Sequence, residues 1–108
     1  MKIRQTDRGF DRADFTDANG QVCSIQKSSS AMEDLIWLGV DSPMVQIMAR
    51  DADEAWLNDK SDPERHNGWV DVPLPKNALV SGRMHLSQEQ VAEILPALQK
   101  FVLTGEID

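Results

Sequence analysis

Residues Val22 to Val40 read V-C-S-I-Q-K-S-S-S-A-M-E-D-L-I-W-L-G-V, and how this stretch divides decides the fold. Its first part alternates. Cys23 and Ile25 share one side, while Val22, Ser24 and Gln26 share the other, the period of a half-buried strand. Ser28-Ser29-Ser30 interrupts that pattern. Ser30 and Glu33 have capping-box spacing, so a short helix from Ala31 is one reading. A loop followed by a strand from Leu35 to Val40 is preferred, because Leu35, Ile36, Trp37, Leu38 and Val40 form the near-continuous apolar run of a strand buried on both faces.

Upstream, Asp17-Ala18-Asn19-Gly20 is a hairpin signal, since Asn-Gly readily adopts the positive φ of a tight turn. It should join a strand ending near Thr16 to the one beginning at Gln21. Ile3 falls in a short first strand, and Asp7-Arg8-Gly9 is a turn before Phe10 and Phe15. Downstream, Asp41-Ser42-Pro43 reads as a turn, and Met44 to Ala49 as a strand returning to pair with Leu35–Val40. Residues 50–67 are rich in acids and are expected to form a mobile surface loop. Val70, Val72 and Leu74 alternate, with Pro73 and Pro75 placing that segment at a sheet edge or end. Arg83-Met84-His85-Leu86 is a short last strand with Arg83 and His85 outward.

The C-terminal helix is marked at both ends. Ser87 and Gln90 form a capping box, and Gly105 is a terminator. Val91, Ile94, Leu95, Leu98, Phe101 and Val102 fall on one helical face. Pro96 inside it predicts a kink or loosened turn. The fold class is therefore α+β: one domain over 1–108, a curved and mostly antiparallel sheet, and a helix at about 87–104 packed on one face.

With 108 residues and a net charge of −7, the chain can bury a single core, and its acidity opposes direct binding to nucleic acid. It contains a single cysteine, Cys23, which excludes an internal disulfide and fits a reducing compartment. M-K-I-R-Q-T-D has no apolar run of signal-peptide length, and no run is long enough to span a bilayer. A soluble cytoplasmic protein is expected, without contact to membrane.

His66, His85 and Cys23 lack the paired spacing of zinc ligands, and no glycine-rich phosphate loop is present. No metal or cofactor is expected. Two candidate surfaces remain. Asp51, Asp53, Glu54 and Trp56 combine acids with an interface-prone aromatic, and are the candidate contact for a protein partner. Lys27, Ser28, Ser29, Arg83 and His85 could instead hold a nucleotide or other phosphate ligand, with Trp37 or Trp69 stacking on a base. Each set also has a plain explanation: a solvated loop, a capped serine turn, and tryptophans in the core. A hydrolase using the second cluster is a third reading. An open sheet edge would allow self-association.

Two blocks of the sequence carry a resemblance. C-S-I-Q-K-S-S (Cys23 to Ser29) with I-W-L-G (Ile36 to Gly39), and R-M-H-L (Arg83 to Leu86) with the helix from Ser87 to Ile107, resemble a family of small proteins encoded in bacteriophages and prophages. The resemblance spans about half the chain and leaves out residues 44–80. It implies a source rather than a mechanism: an accessory protein in the cytoplasm of a bacterial host. It would act without catalysis, either by binding and inhibiting a host or defence protein or by sequestering a small signalling nucleotide.

Overall fold

A computed structural model describes residues 1–52 and 68–108 of the chain. They divide between two compact units, residues 1–41 with 82–108 and residues 42–81. The first is a five-stranded antiparallel sheet with one helix. Its strands are β1 (Ile3–Gln5), β2 (Asp11–Thr16), β3 (Val22–Lys27), β4 (Leu35–Val40) and, after the second unit, β7 (Gly82–Ser87). The order across the sheet is β1-β2-β3-β4-β7, and every neighbouring pair is antiparallel. The second unit is inserted in the chain between β4 and β7. It pairs β5 (Gln46–Met48) with β6 (Trp69–Asp71), not with β4 as the turn at Asp41–Pro43 suggests, because β4 already has β3 on one edge and β7 on the other; a 3-10 turn follows over Ala49–Asp51.

Local chemistry explains most of these elements. At the β2–β3 hairpin the Asp17 carboxylate accepts the backbone N–H groups of Asn19 and Gln21 at 2.9 and 2.8 Å. Gly20 alone takes the left-handed conformation, with φ 82°, so Asn19 keeps its ordinary negative φ. The turn is thus closed by an aspartate side chain and one glycine, not by two positive-φ residues. Residues 28–34 form a loop, as the serine run suggested, and Ser28 N–H donates to the Leu35 carbonyl at 2.9 Å.

Register assigns the two faces of the sheet. Ile3, Ala13, Ile25, Leu38 and Met84 align across all five strands on one face. Phe15, Cys23 and Val40 flank that row on one side, and Ile36 and Leu86 on the other. Burial on this apolar face falls on small residues: Ala13 is fully buried and Cys23 nearly so, while β4 is half-buried along its whole length.

Helix α1 (Gln88–Thr104) begins directly after β7. Ser87 Oγ accepts the Gln90 N–H, and the Gln90 side chain accepts the Ser87 N–H. Gly105 ends the helix by donating its N–H to the Phe101 carbonyl at 2.8 Å. The helix runs on through Pro96. Its first turns meet the sheet, where Val91, Ala92 and Leu95 line an open groove of about 450 Å³ together with Ile36 and Leu86. No residue of the helix is buried, so the packing on the sheet expected from its apolar stripe extends only part of the way along it.

Candidate functional site

The opposite face of the sheet carries a polar layer. Arg4, Arg12, Gln26, Trp37 and His85 align across all five strands, and the next row on that face holds Asp14, Ser24, Gly39 and Arg83. Ser24 and Gly39 are the small members of that row. Arg12 reaches over β3 to pair with Asp41, which also accepts the hydroxyl of the fully buried Ser24. Gln26 Oε1 accepts from Arg12 Nη1 at 3.0 Å and from Arg83 Nη1 at 3.1 Å, linking β2 to β7. At the edge, Asp14 accepts from Arg4 at 2.9 Å and from Arg12 at 2.9 Å.

These contacts shape the charges. Hydrogen bonds from Arg4 and then Arg12 hold the Asp14 carboxyl below the usual carboxylate range. Burial alone would lower the Arg12 guanidinium, but the hydrogen bonds and charges of Asp14 and Asp41 outweigh it and raise it above its ordinary value. Among the described residues no buried side-chain nitrogen or oxygen lacks a hydrogen-bond partner. The layer is therefore held in one arrangement by directional bonds.

Two aromatic rings complete it. Trp37 and His85 stack with centroids 3.8 Å apart and planes 3° from parallel. The Arg83 guanidinium carbon lies 5.3 Å from the Trp37 ring, within cation–π range. His85 Nε2 is 2.8 Å from Ser28 Oγ, and that hydroxyl also accepts the Ser30 N–H at 3.2 Å. Ser28 is buried while His85 is exposed.

Of the ligand set read from the sequence, Ser28, Arg83 and His85 come together on this face. Lys27 does not join them. It projects from the apolar face, where its ammonium lies 2.7 Å from Asp34 and holds that carboxyl below its ordinary value. Ser29 is exposed in the loop. Of the acidic set, Asp51 is exposed in the 3-10 turn, with a carboxylate oxygen 3.9 Å from Arg50. Asp53, Glu54 and Trp56 lie outside the described residues.

Arg4, Arg12, Asp14 and Asp41 fall outside the polar residues that the sequence singles out, whereas Gln26 belongs to the polar run at 26–30. Part of the signal was present: Arg12 with Asp14, and Ser24 with Gln26, share strand parity with outward positions. What was missing is register across three strands.

Guanidinium, imidazole and indole groups sit side by side at fixed positions, offering donors to carboxylate or phosphate and a face for stacking. Among the described residues no group of three His, Cys, Asp or Glu side chains could hold a metal ion. No helix among them is long and apolar enough to cross a membrane. The chain combines an antiparallel five-stranded meander, a unit inserted before its last strand, and a C-terminal helix. No family model, curated protein or solved structure matches it.

Proposed function

We propose that this chain is a non-enzymatic accessory protein of phage or prophage type that acts by binding a protein of the bacterial host, and that the polar sheet face is its contact surface. The observation that carries the contact is the row Arg4, Arg12, Gln26, Trp37 and His85, with Arg83 beside it, held across five strands by its own hydrogen bonds. Arginine and tryptophan are the residues that dominate interface energetics, and side chains already fixed lose little freedom on binding. Arg83, bonded to Gln26 rather than to a carboxylate, is the cation of this face that a carboxylate on the partner would meet. The phage assignment and the inhibitory role rest on the resemblance of the two sequence blocks.

The test is affinity capture from host lysate with the wild-type chain and with Trp37→Ala and Arg83→Ala. A stoichiometric host protein should be retained by the wild type, and its affinity should fall by about tenfold or more in each variant. Equal retention by both variants removes the polar face as the contact.

The Ser28–His85 pair and the Arg83–Trp37 pair favour a second reading, a phosphate-bearing ligand such as a nucleotide on the same face. A ligand that binds only the native state raises its thermal stability. A panel of nucleotides and inorganic phosphate should then raise the Tm of the wild type and leave that of His85→Ala unmoved. No shift in the wild type dismisses this reading.

A further inference from the structure

Two donors fix the orientation of the Gln26 amide. Arg12 Nη1 and Arg83 Nη1 both point at its oxygen, at 3.0 and 3.1 Å, so the amide NH2 is turned the other way. Among the described residues that NH2 meets no acceptor, and neither do Nε and Nη2 of Arg83. No buried side-chain nitrogen among them is without a partner, so these groups reach solvent.

The unspent donors lie together. Arg83 crosses β4 to reach Gln26 on β3, past Gly39, its cross-strand neighbour, which has no side chain to obstruct it. It bonds to the same amide that carries the NH2, so both groups are within reach of one small ligand. The guanidinium carbon also stands 5.3 Å from the Trp37 ring centre, and Trp37 is itself stacked on His85. Arg83 is therefore held from two sides, by the amide and by the indole.

Charge tells what these donors await. Counting histidine as neutral, the layer sets the cations Arg4, Arg12 and Arg83 against the acids Asp14 and Asp41. Asp14 accepts from Arg4 and Arg12, and Asp41 from Arg12 and Ser24, so both carboxylates are occupied within the layer. Arg83 bonds only to an amide oxygen. The surplus is a single positive charge on a chain that carries −7. A carboxylate balances it. A phosphate monoester, at about −1.5 to −2, would overshoot on an already acidic molecule. The planar guanidinium also suits the two oxygens of a carboxylate.

We infer that Arg83 and the Gln26 NH2 form a subsite for one carboxylate, that of an aspartate or glutamate side chain on the protein partner. This subsite rests on the polar sheet face being the contact surface, and it marks where on that face an acidic residue is recognised. Arg4 and Arg12 order the layer through Asp14 and Asp41, whereas Arg83 is the guanidinium that meets the ligand.

The probe is N-acetylglutamate amide, whose side chain carries its only charge, titrated at fixed ionic strength into the isotopically labelled full chain. The Gln26 NH2 and Arg83 Nε–H resonances should shift saturably, with a Kd in the millimolar range. N-acetylglutamine amide, of the same size and uncharged, should move neither. Arg83→Gln keeps an amide donor but removes the cation, and should weaken binding by at least about tenfold. Gln26→Glu supplies a carboxylate from the chain itself and should abolish the response, with the circular dichroism spectrum unchanged. Lys27→Gln removes a cation from the opposite face and should leave the affinity as it was.

An absence of shifts overturns the inference. So does a response that the uncharged analogue reproduces, or one that Lys27→Gln weakens as much as Arg83→Gln. Tighter binding of inorganic phosphate than of the glutamate probe overturns it too, and assigns the donors to a phosphate ligand. The titration needs no host protein. A partner captured through Trp37 while these resonances stay still removes the subsite and keeps the contact surface. Saturable shifts in a chain that captures nothing overturn the protein partner as the source of the carboxylate.

Discussion

On one face of the five-stranded sheet Arg12, Gln26, Asp41 and Arg83 bond to one another above Ser24 and Gly39. On the other, Ile3, Phe15 and Met84 are 59%, 37% and 52% exposed. The polar layer is completed by directional bonds within itself. The apolar layer gains in proportion to the area removed from water, and much of that area is still in water. The difference teaches where specificity and incompleteness lie in this molecule. A satisfied polar layer fixes its own geometry, whereas exposed apolar side chains mark where another surface is called for.

Four perturbations test that contrast, from the largest effect down. Gly39 has φ 148°, and a Cβ there would stand 2.2 Å from the Gly82 carbonyl oxygen and 2.9 Å from the Arg83 Cα. Gly39→Ala must therefore displace β7 backbone, and a loss of roughly 3 kcal/mol or more is expected in urea unfolding. A wild-type midpoint would show that β4 and β7 do not approach so closely. Asp41→Ala leaves the Arg12 guanidinium and the buried Ser24 hydroxyl short of their acceptor. It should cost about 2 kcal/mol, measured the same way, and a negligible change would mean the polar layer is not held as described.

Met84→Ala probes the other face. It is already half in water, so the loss should stay below about 1 kcal/mol. A cost as large as that of Asp41→Ala would show that the apolar face is covered in solution. The smallest effect is with pH. Asp14 and Asp34 both have lowered carboxyl pKa values in the folded chain. Their stabilisation is present above the unfolded carboxylate value, near pH 4, and is lost as pH falls through the lower folded values. Asp14→Asn should flatten the acid limb of the stability profile, and an unchanged limb would remove Asp14 from that account.

Local elements could be read from the sequence because their causes are local. Ser87 with Gln90, Gly105, and Asp17 to Gly20 each hold their own partners within a few residues. Strand parity went further than it was pressed. Once Cys23 and Ile25 define the apolar side of β3, Lys27 belongs there too, and Ser28 falls on the side of Ser24 and Gln26. Grouping Lys27 with Ser28, Arg83 and His85 by chemistry alone overlooked that step. A glycine within a strand signals close backbone approach, so Gly39 was also legible. The pairing of β4 with β7 was not, because nothing near either strand encodes a partner across residues 42–81. The Arg12–Asp41 contact depends instead on register across β2, β3 and β4.

The insertion between β4 and β7 bears on how the chain reaches this fold. Strands β1 to β4 are joined by short connections and can zip up in sequence. Pairing β7 to β4 must instead close residues 42–81, which for a flexible chain costs about 2 kcal/mol more entropy than a four-residue turn. The inserted unit shortens that search. Gln46 pairs with Asp71, and the Val72 N–H donates to the Val45 carbonyl at 2.9 Å, so β5 and β6 bring the two ends of the insertion together. Early formation of that small hairpin would speed the arrival of β7, and with it the C-terminal helix. Mutations that break β5–β6 pairing should then slow refolding of a sheet they do not belong to.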